Sequence, residues 1–211
     1  MRIRILSTAM LACVLSAALA IGAGSDSKRG SGSKAAGSHG KAHVHENYAV
    51  DSTHARIGFA IDHLVISKVQ GAFSEYEASM HLHDGKLASV EAVIKVKSVD
   101  TGIKQRDQHL LAPDFFDAAK FPEITFKSTA VKGDVLVGDL TIRDVTKAVQ
   151  LKYTLKGPVK DPWGNTKIGL QASGEIDRTE FGLTYSQAMD AGGLVVGKNV
   201  ALQIDVEAAR K

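Results

Sequence analysis

The sequence predicts an all-β fold in which eight antiparallel strands close into a barrel, interrupted by one short helical excursion. Three observations carry this. From Tyr48 onward, apolar and polar residues alternate with period two in eight stretches, the mark of strands with one buried face. Groups rich in Gly, Asp or Pro, such as His83-Asp84-Gly85-Lys86, Val131-Lys132-Gly133-Asp134 and Asp161-Pro162-Trp163-Gly164-Asn165, separate the stretches where a chain must reverse. Crossover helices, which parallel pairing requires, do not alternate with the strands. Closure removes the exposed edges of a long open sheet, with a two-sheet sandwich as the structural alternative.

The N-terminal residues precede this pattern and read differently. Arg2 and Arg4 form a basic start, Ile5 to Leu19 an apolar run and Ala18-Leu19-Ala20 a small-residue cleavage site, so residues 1–20 are expected to be a signal peptide. The run ends in Gly22, Gly24 and Ser25, too short for a membrane anchor. Cys13, the only cysteine, lies within it, and cleavage near Ala20 removes the only thiol. The rival reading, lipidation at Cys13, has a poor lipobox in Met10-Leu11-Ala12-Cys13 and leaves apolar Val14 to Ile21 behind.

Residues 21–46 are Gly, Ser, Ala, Lys and His with almost no large apolar side chain, a composition that cannot offset its ordering entropy, and are expected to form a flexible linker. His39, His43 and His45 within it are potential ligands for zinc, copper or nickel, although no cysteine or carboxylate cluster completes a site and no metal centre is expected. The barrel domain then occupies residues 47–211.

The stretches set Ile57, Phe59 and Ile61 on one face, then Tyr76, Ala78, Met80 and Leu82, then Val90, Ala92, Ile94 and Val96. Ile124 and Phe126 begin the fourth. Leu136, Leu140 and Ile142 mark the fifth, whose faces divide less cleanly. Val149, Leu151, Tyr153 and Leu155, then Ile168, Leu170, Ala172 and Ile176, then Val200, Leu202, Ile204 and Val206 complete the set. Between the third and fourth, Thr101 to Lys120 carries Ile103, Leu110 and Leu111 at helical spacing, with Pro113 opening a second short turn.

Charge and motif content narrow the function. Of 26 basic and 23 acidic residues, loss of Arg2 and Arg4 with the leader leaves 24 against 23, and no basic face with aromatic platforms is visible, so nucleic acid is not an expected partner. There is no Gly-x-Ser-x-Gly elbow, no His-Glu-x-x-His and, after cleavage, no thiol nucleophile, which argues against an enzyme. His81-Leu82-His83 places two imidazoles on one face of a strand, but a third ligand is not identifiable.

Five strings occur in one order with short spacers: Ser98-Val99-Asp100-Thr101-Gly102, Arg106-Asp107-Gln108-His109-Leu110, Asp114-Phe115-Phe116-Asp117, Phe121-Pro122-Glu123-Ile124-Thr125-Phe126-Lys127-Ser128-Thr129 and Gly138-Asp139-Leu140-Thr141-Ile142-Arg143. With Tyr48-Ala49-Val50-Asp51, His63, Gly71-Ala72-Phe73 and Arg178-Thr179-Glu180-Phe181-Gly182, they make the whole folded region resemble the YceI-like family of bacterial lipid-binding proteins. The resemblance implies a periplasmic or secreted, extended lipocalin-like barrel whose apolar channel holds a long isoprenoid lipid, such as a polyprenol derivative or quinone tail, for carriage, storage or sequestration. It implies binding without catalysis and no cofactor beyond that ligand. Asp144 stands where the family usually has Gly, and Gln187 to Asn199 matches less closely.

Candidate channel residues are Ile57, Phe59, Ile61, Tyr76, Met80, Ile94, Phe126, Leu140, Leu151, Tyr153, Leu155, Leu170, Ile176, Leu202 and Ile204, for each of which plain core packing is the competing role. Arg106, Asp107 and His109 are candidates for a lipid head group or for the mouth, or they pin the helix to neighbouring strands. The alternative functions are a periplasmic stress or partner-binding protein with a self-filled barrel as scaffold, and metal buffering through the His-bearing linker. An integral membrane protein is not expected, and the pattern leaves a homodimer open.

Overall fold

The computed structural model describes residues 43–188 and 194–211, so the leader and the linker as far as residue 42 lie outside the described residues. Ten strand segments and one helix follow in order: β1 (His45–His63), β2 (Ser67–Phe73), β3 (Tyr76–His83), β4 (Lys86–Lys95), β5 (Val99–Asp100), α1 (Lys104–Leu110), β6 (Glu123–Lys132), β7 (Val135–Ile142), β8 (Val145–Lys160), β9 (Thr166–Asp177) and β10 (Val196–Arg210). Among the described residues, no helix is long and apolar enough to cross a membrane.

These segments make eight barrel strands. β2 covers the C-terminal half of β1, from Ile57↔Phe73 to His63↔Ser67, and β3 covers the N-terminal half, from His45↔His83 to Ala49↔Ser79. Together they form one long strand interrupted at Ser74 and Glu75. β5 likewise prolongs β4 past a 3-10 turn at Val96–Ser98 and pairs with β2. The remaining strands pair antiparallel in sequence order, and β10 returns to β1 from Tyr48↔Arg210 to His63↔Val196. That last ladder closes the barrel and excludes the sandwich.

The strand missed by periodicity is β2. Its inward positions are Val69, Gly71 and Phe73, and the central glycine erases the apolar signal there. β1 starts at His45, inside the expected linker, and a register shift between Val50 and Ala55 bends it opposite the break between β2 and β3. The helical excursion is shorter than its apolar spacing suggested. α1 stops at Leu110 and gives way to turns, because Pro113 donates no backbone hydrogen bond and restricts Ala112 before it.

Turn chemistry fits each reversal. Asp84 and Gly85 both take positive φ, 50° and 74°, as a two-residue hairpin with primed geometry demands, and Asp and Gly are the residues that tolerate it. At Arg143-Asp144 the positive φ falls on Arg143, 57°, so the position occupied by Asp144 does not need the family's glycine.

Several turns are held by carboxylates, with a consequence for acid stability. Asp177 accepts from the Thr179 hydroxyl and backbone N–H, Asp51 from the Thr53 hydroxyl and from His54, and Asp161 from the Asn165 side chain and two backbone N–H groups. Each carboxyl is held below its ordinary value of 3.8, chiefly by the side-chain hydrogen bond in each case. A depressed folded-state pKa contributes stability above the unfolded value that disappears as pH falls through the folded one. The melting temperature should therefore be flat from neutrality to about pH 5 and fall below about pH 4; a melting temperature unchanged down to pH 2 would contradict these bonds.

One end of the barrel is packed shut. Tyr48, Leu82, Leu87, Ile168 and Ala208 lie there at 0–5% exposure, and the Glu46 carboxylate, ion-paired to Arg210 at 3.0 Å, accepts a long hydrogen bond from the Tyr48 hydroxyl. Burial, with Glu46 nearby, raises the Tyr48 phenol pKa above its usual value.

Candidate functional site

Above this floor the interior is open, with a cavity of about 350 Å³. Met80, Leu136, Val50 and Val206 line its base, and Asp62, His63, Arg178 and the α1 residues Arg106 and His109 line the opposite end. Val196 and Val206 of β10 both face it, so at roughly 3.3 Å per residue and a strand tilt of about 40° the lumen runs about 25 Å along the barrel axis. The wall between the two ends is built mainly of Val, Ile, Leu, Ala and Phe, with Tyr76 adding a hydroxyl there and Thr101 and Tyr185 adding theirs at the helix end. The Tyr76 hydroxyl is committed to the Ala55 carbonyl at 2.7 Å.

Thirteen of the fifteen channel candidates line the cavity: Ile57, Phe59, Ile61, Tyr76, Met80, Ile94, Phe126, Leu140, Leu151, Leu170, Ile176, Leu202 and Ile204. Tyr153 and Leu155 do not. They continue the inward face of β8 toward the closed end, paired with Ala172 and Leu170, and pack against the buried core there. Period-two alternation reports the face of a strand but not the depth at which the lumen stops, which is why these two were indistinguishable from Leu151.

The lumen stays open because three of its large side chains lie against the wall. An added Cβ would come within 2.4 Å of the Phe59 ring at Gly71, within 2.4 Å of the Phe126 ring at Gly138 and within 2.7 Å of the Leu151 side chain at Gly174. Each glycine faces inward on the strand beside its aromatic or leucine partner, leaving a recess that the side chain fills instead of crossing the channel. Gly138→Ala is expected to push Phe126 into the lumen and cost about 1–3 kcal/mol, as overpacking does. Chemical denaturation measures it, and a neutral Gly138→Ala would show that the ring has no need of the recess.

At the open end the short helix is tied to the wall. Arg106 Nε donates to the Thr101 hydroxyl at 2.7 Å and its Nη2 to the Thr101 carbonyl at 2.8 Å. Asp107 accepts from the Thr101 N–H and hydroxyl at 2.9 and 2.6 Å. Asp107 does not reach the cavity, whereas Arg106 and His109 do. His109 Nε2 lies 2.7 Å from Asp114, and its ring meets the rings of Phe115 and Tyr185 edge-on at 5.0 Å. Beside the opening, the β1–β2 turn leaves Val65 and Ile66 71% and 86% exposed, with Leu64 and Val65 at positive φ.

Several lining residues had no periodic signal to find them by. Phe115, Phe116, Leu183 and Tyr185 sit in irregular connections, and Val69 and Phe73 in the unrecognised β2. Arg178 was visible only as part of the string Arg178-Thr179-Glu180-Phe181-Gly182. It is 4% exposed and donates from Nε to Gly197 O at 2.8 Å, from Nη2 to Val196 O at 3.2 Å and from Nη1 to Leu183 O. Burial lowers its pKa from the usual guanidinium value, with the Asp177 charge opposing.

Known proteins share this architecture. A UPF0312 protein of Staphylococcus aureus (strain N315) is 32% identical over 164 residues, covering 76% of this chain and 96% of its own. The crystal structure of a Campylobacter jejuni YceI protein, 32% identical, superposes with a TM-score of 0.61 over 71% of this chain and 90% of that one. A polyisoprenoid binding domain from Saccharophagus degradans, at 15% identity, shares the fold with a TM-score of 0.59 over 78% of this chain and 98% of that domain. Residues 48–208, which run from within β1 at the floor of the barrel to near the end of β10, match the YceI-like domain, and this chain therefore belongs to the YceI-like family.

Proposed function

We propose that this chain is an exported, non-enzymatic protein that holds a long-chain isoprenoid lipid, a polyprenol derivative or quinone tail, in the barrel lumen. The observation that carries the reading is a narrow apolar channel about 25 Å long, closed at the Tyr48 end and polar only at the helix end. A branched, extended hydrocarbon fits such a tube along its whole length. A compact ligand leaves most of it empty.

Each five-carbon unit buried contributes roughly 4 kcal/mol before the entropy of ordering the chain is subtracted, so affinity rises with chain length. Arg106 and His109 line the open end, where a head group would emerge, and the likeness to the polyisoprenoid binding domain of Saccharophagus degradans supports the ligand class. The apolar leader supports a periplasmic or secreted setting.

Native mass spectrometry of protein purified from its own host, followed by organic extraction, tests this directly. A bound mass that disappears on extraction and yields a polyprenyl fragmentation ladder is the expected result. A protein of bare mass with nothing extractable would overturn it and return the barrel to the role of scaffold.

A further inference from the structure

At the closed end of the barrel, away from the mouth, the chain gathers side chains that lipid binding does not use. His43 Nδ1 lies 2.8 Å from Asp84 Oδ2, and His83 Nε2 lies 3.7 Å from the same oxygen. Asp84 Oδ1 accepts the Val44 N–H at 2.9 Å, which fixes the carboxylate between the two rings. One nitrogen from each histidine and one carboxylate oxygen all fall within 4.8 Å of one another. The His45 ring stacks on His83 with centroids 4.7 Å apart.

The donor set is selective. Two imidazoles and one carboxylate suit zinc, nickel or copper, whereas calcium and magnesium take oxygen ligands almost throughout. Tetrahedral zinc with bonds of about 2.0 Å places its ligands roughly 3.3 Å apart, so a modest rotation of His83 brings the three donors to that spacing and leaves a fourth position for water. All three side chains are exposed, so a hydrated ion reaches them without opening the barrel.

A second cluster supplies the contrast. Asp51, His54 and Glu207 also converge, but the Lys167 ammonium sits 3.3 Å from both carboxylates and already occupies the cation position. Among the described residues, the ion-pair partners of Asp84 are His43 and His83 alone. We propose that His43, His83 and Asp84 bind one divalent transition-metal ion, and that the ion clips the segment leading into β1 onto the β3–β4 turn. The two halves of the site are 40 residues apart and meet because β1 pairs with β3 through His45↔His83.

Isothermal titration of the chelator-stripped mature chain with Zn²⁺, and separately with Mg²⁺, tests the site. One equivalent of Zn²⁺ and no Mg²⁺ should bind. His83→Gln and Asp84→Asn should each weaken Zn²⁺ binding at least tenfold, and the asparagine preserves the positive φ of the turn. His54→Gln should leave it unchanged. Zn²⁺ should raise the melting temperature of the parent chain and of His54→Gln, and not of the other two variants, whose metal-free melting and circular dichroism show them folded. Absence of Zn²⁺ binding would overturn the proposal. Binding that survives both His83→Gln and Asp84→Asn would also overturn it, by assigning the metal to histidines ahead of β1 alone, and loss in His54→Gln would assign it to the other cluster.

Discussion

Ala78→Trp is expected to reduce co-purified lipid at least tenfold while leaving the strand content unchanged. Ala78 faces the lumen on β3 and pairs directly with Ala92 on β4, itself beside Phe126 on β6, so two adjacent small residues widen the channel there. An indole at this position projects across the opening and meets no packed neighbour on the far side, because the space it enters is the cavity. In a filled core a few added methylenes already cost about 1–3 kcal/mol and an indole would cost more; here the loss should stay at or below the low end of that range. Glu77→Trp, one residue along on the exposed face, should retain lipid as the parent does. Extraction and quantitative mass spectrometry of the two variants decide the matter, and equal lipid in both would mean that the ligand does not pass Ala78.

The largest stability effect is expected at Arg178. Its guanidinium satisfies carbonyls of Leu183, Val196 and Gly197, joining the 3-10 turn after β9 to the start of β10 across the intervening connection. Arg178→Met is nearly isosteric along the stem but leaves those acceptors facing an apolar side chain. The cost should be about 3–5 kcal/mol, well above that of an ordinary surface change. Arg178→Lys, which keeps the charge and reaches fewer acceptors, should fall between. Urea denaturation should show a lower midpoint with an unchanged slope. A loss below 1 kcal/mol for Arg178→Met would mean that water replaces the guanidinium and that the carbonyls were never isolated.

Much of the barrel was legible because a strand with one buried face must alternate, and seven of the eight barrel strands show that alternation over most of their length. The eighth was seen only in its β3 half. Gly71, which makes room for Phe59, removed the apolar residue that would have revealed β2. The inward candidates were legible for the same reason, yet alternation could not separate Leu151, which lines the lumen, from Leu155, which packs near its floor. Nor could it place Arg178, Tyr185 or Phe115, since irregular connections carry no period. His81 and His83 were recognisable as one face of a strand, but His81 is committed to Asn47 at 2.6 Å, and the two side chains that gather at His83 are Asp84 of its own turn and His43, 40 residues earlier.

By itself, the sequence determined every barrel strand except the β2 segment and the start of β1, together with their buried faces and most of the turns between them, since these depend on residues within a few positions of one another. Closure, an open lumen and the pairing of His43 with His83 were decided only in the tertiary structure. Each requires residues far apart in the chain to meet: β1 with β10, phenylalanine rings with glycines on the neighbouring strand, and the start of β1 with the β3–β4 turn. Local pattern records which way a side chain points. What it meets there is set by register between strands, and register is a property of the assembled barrel.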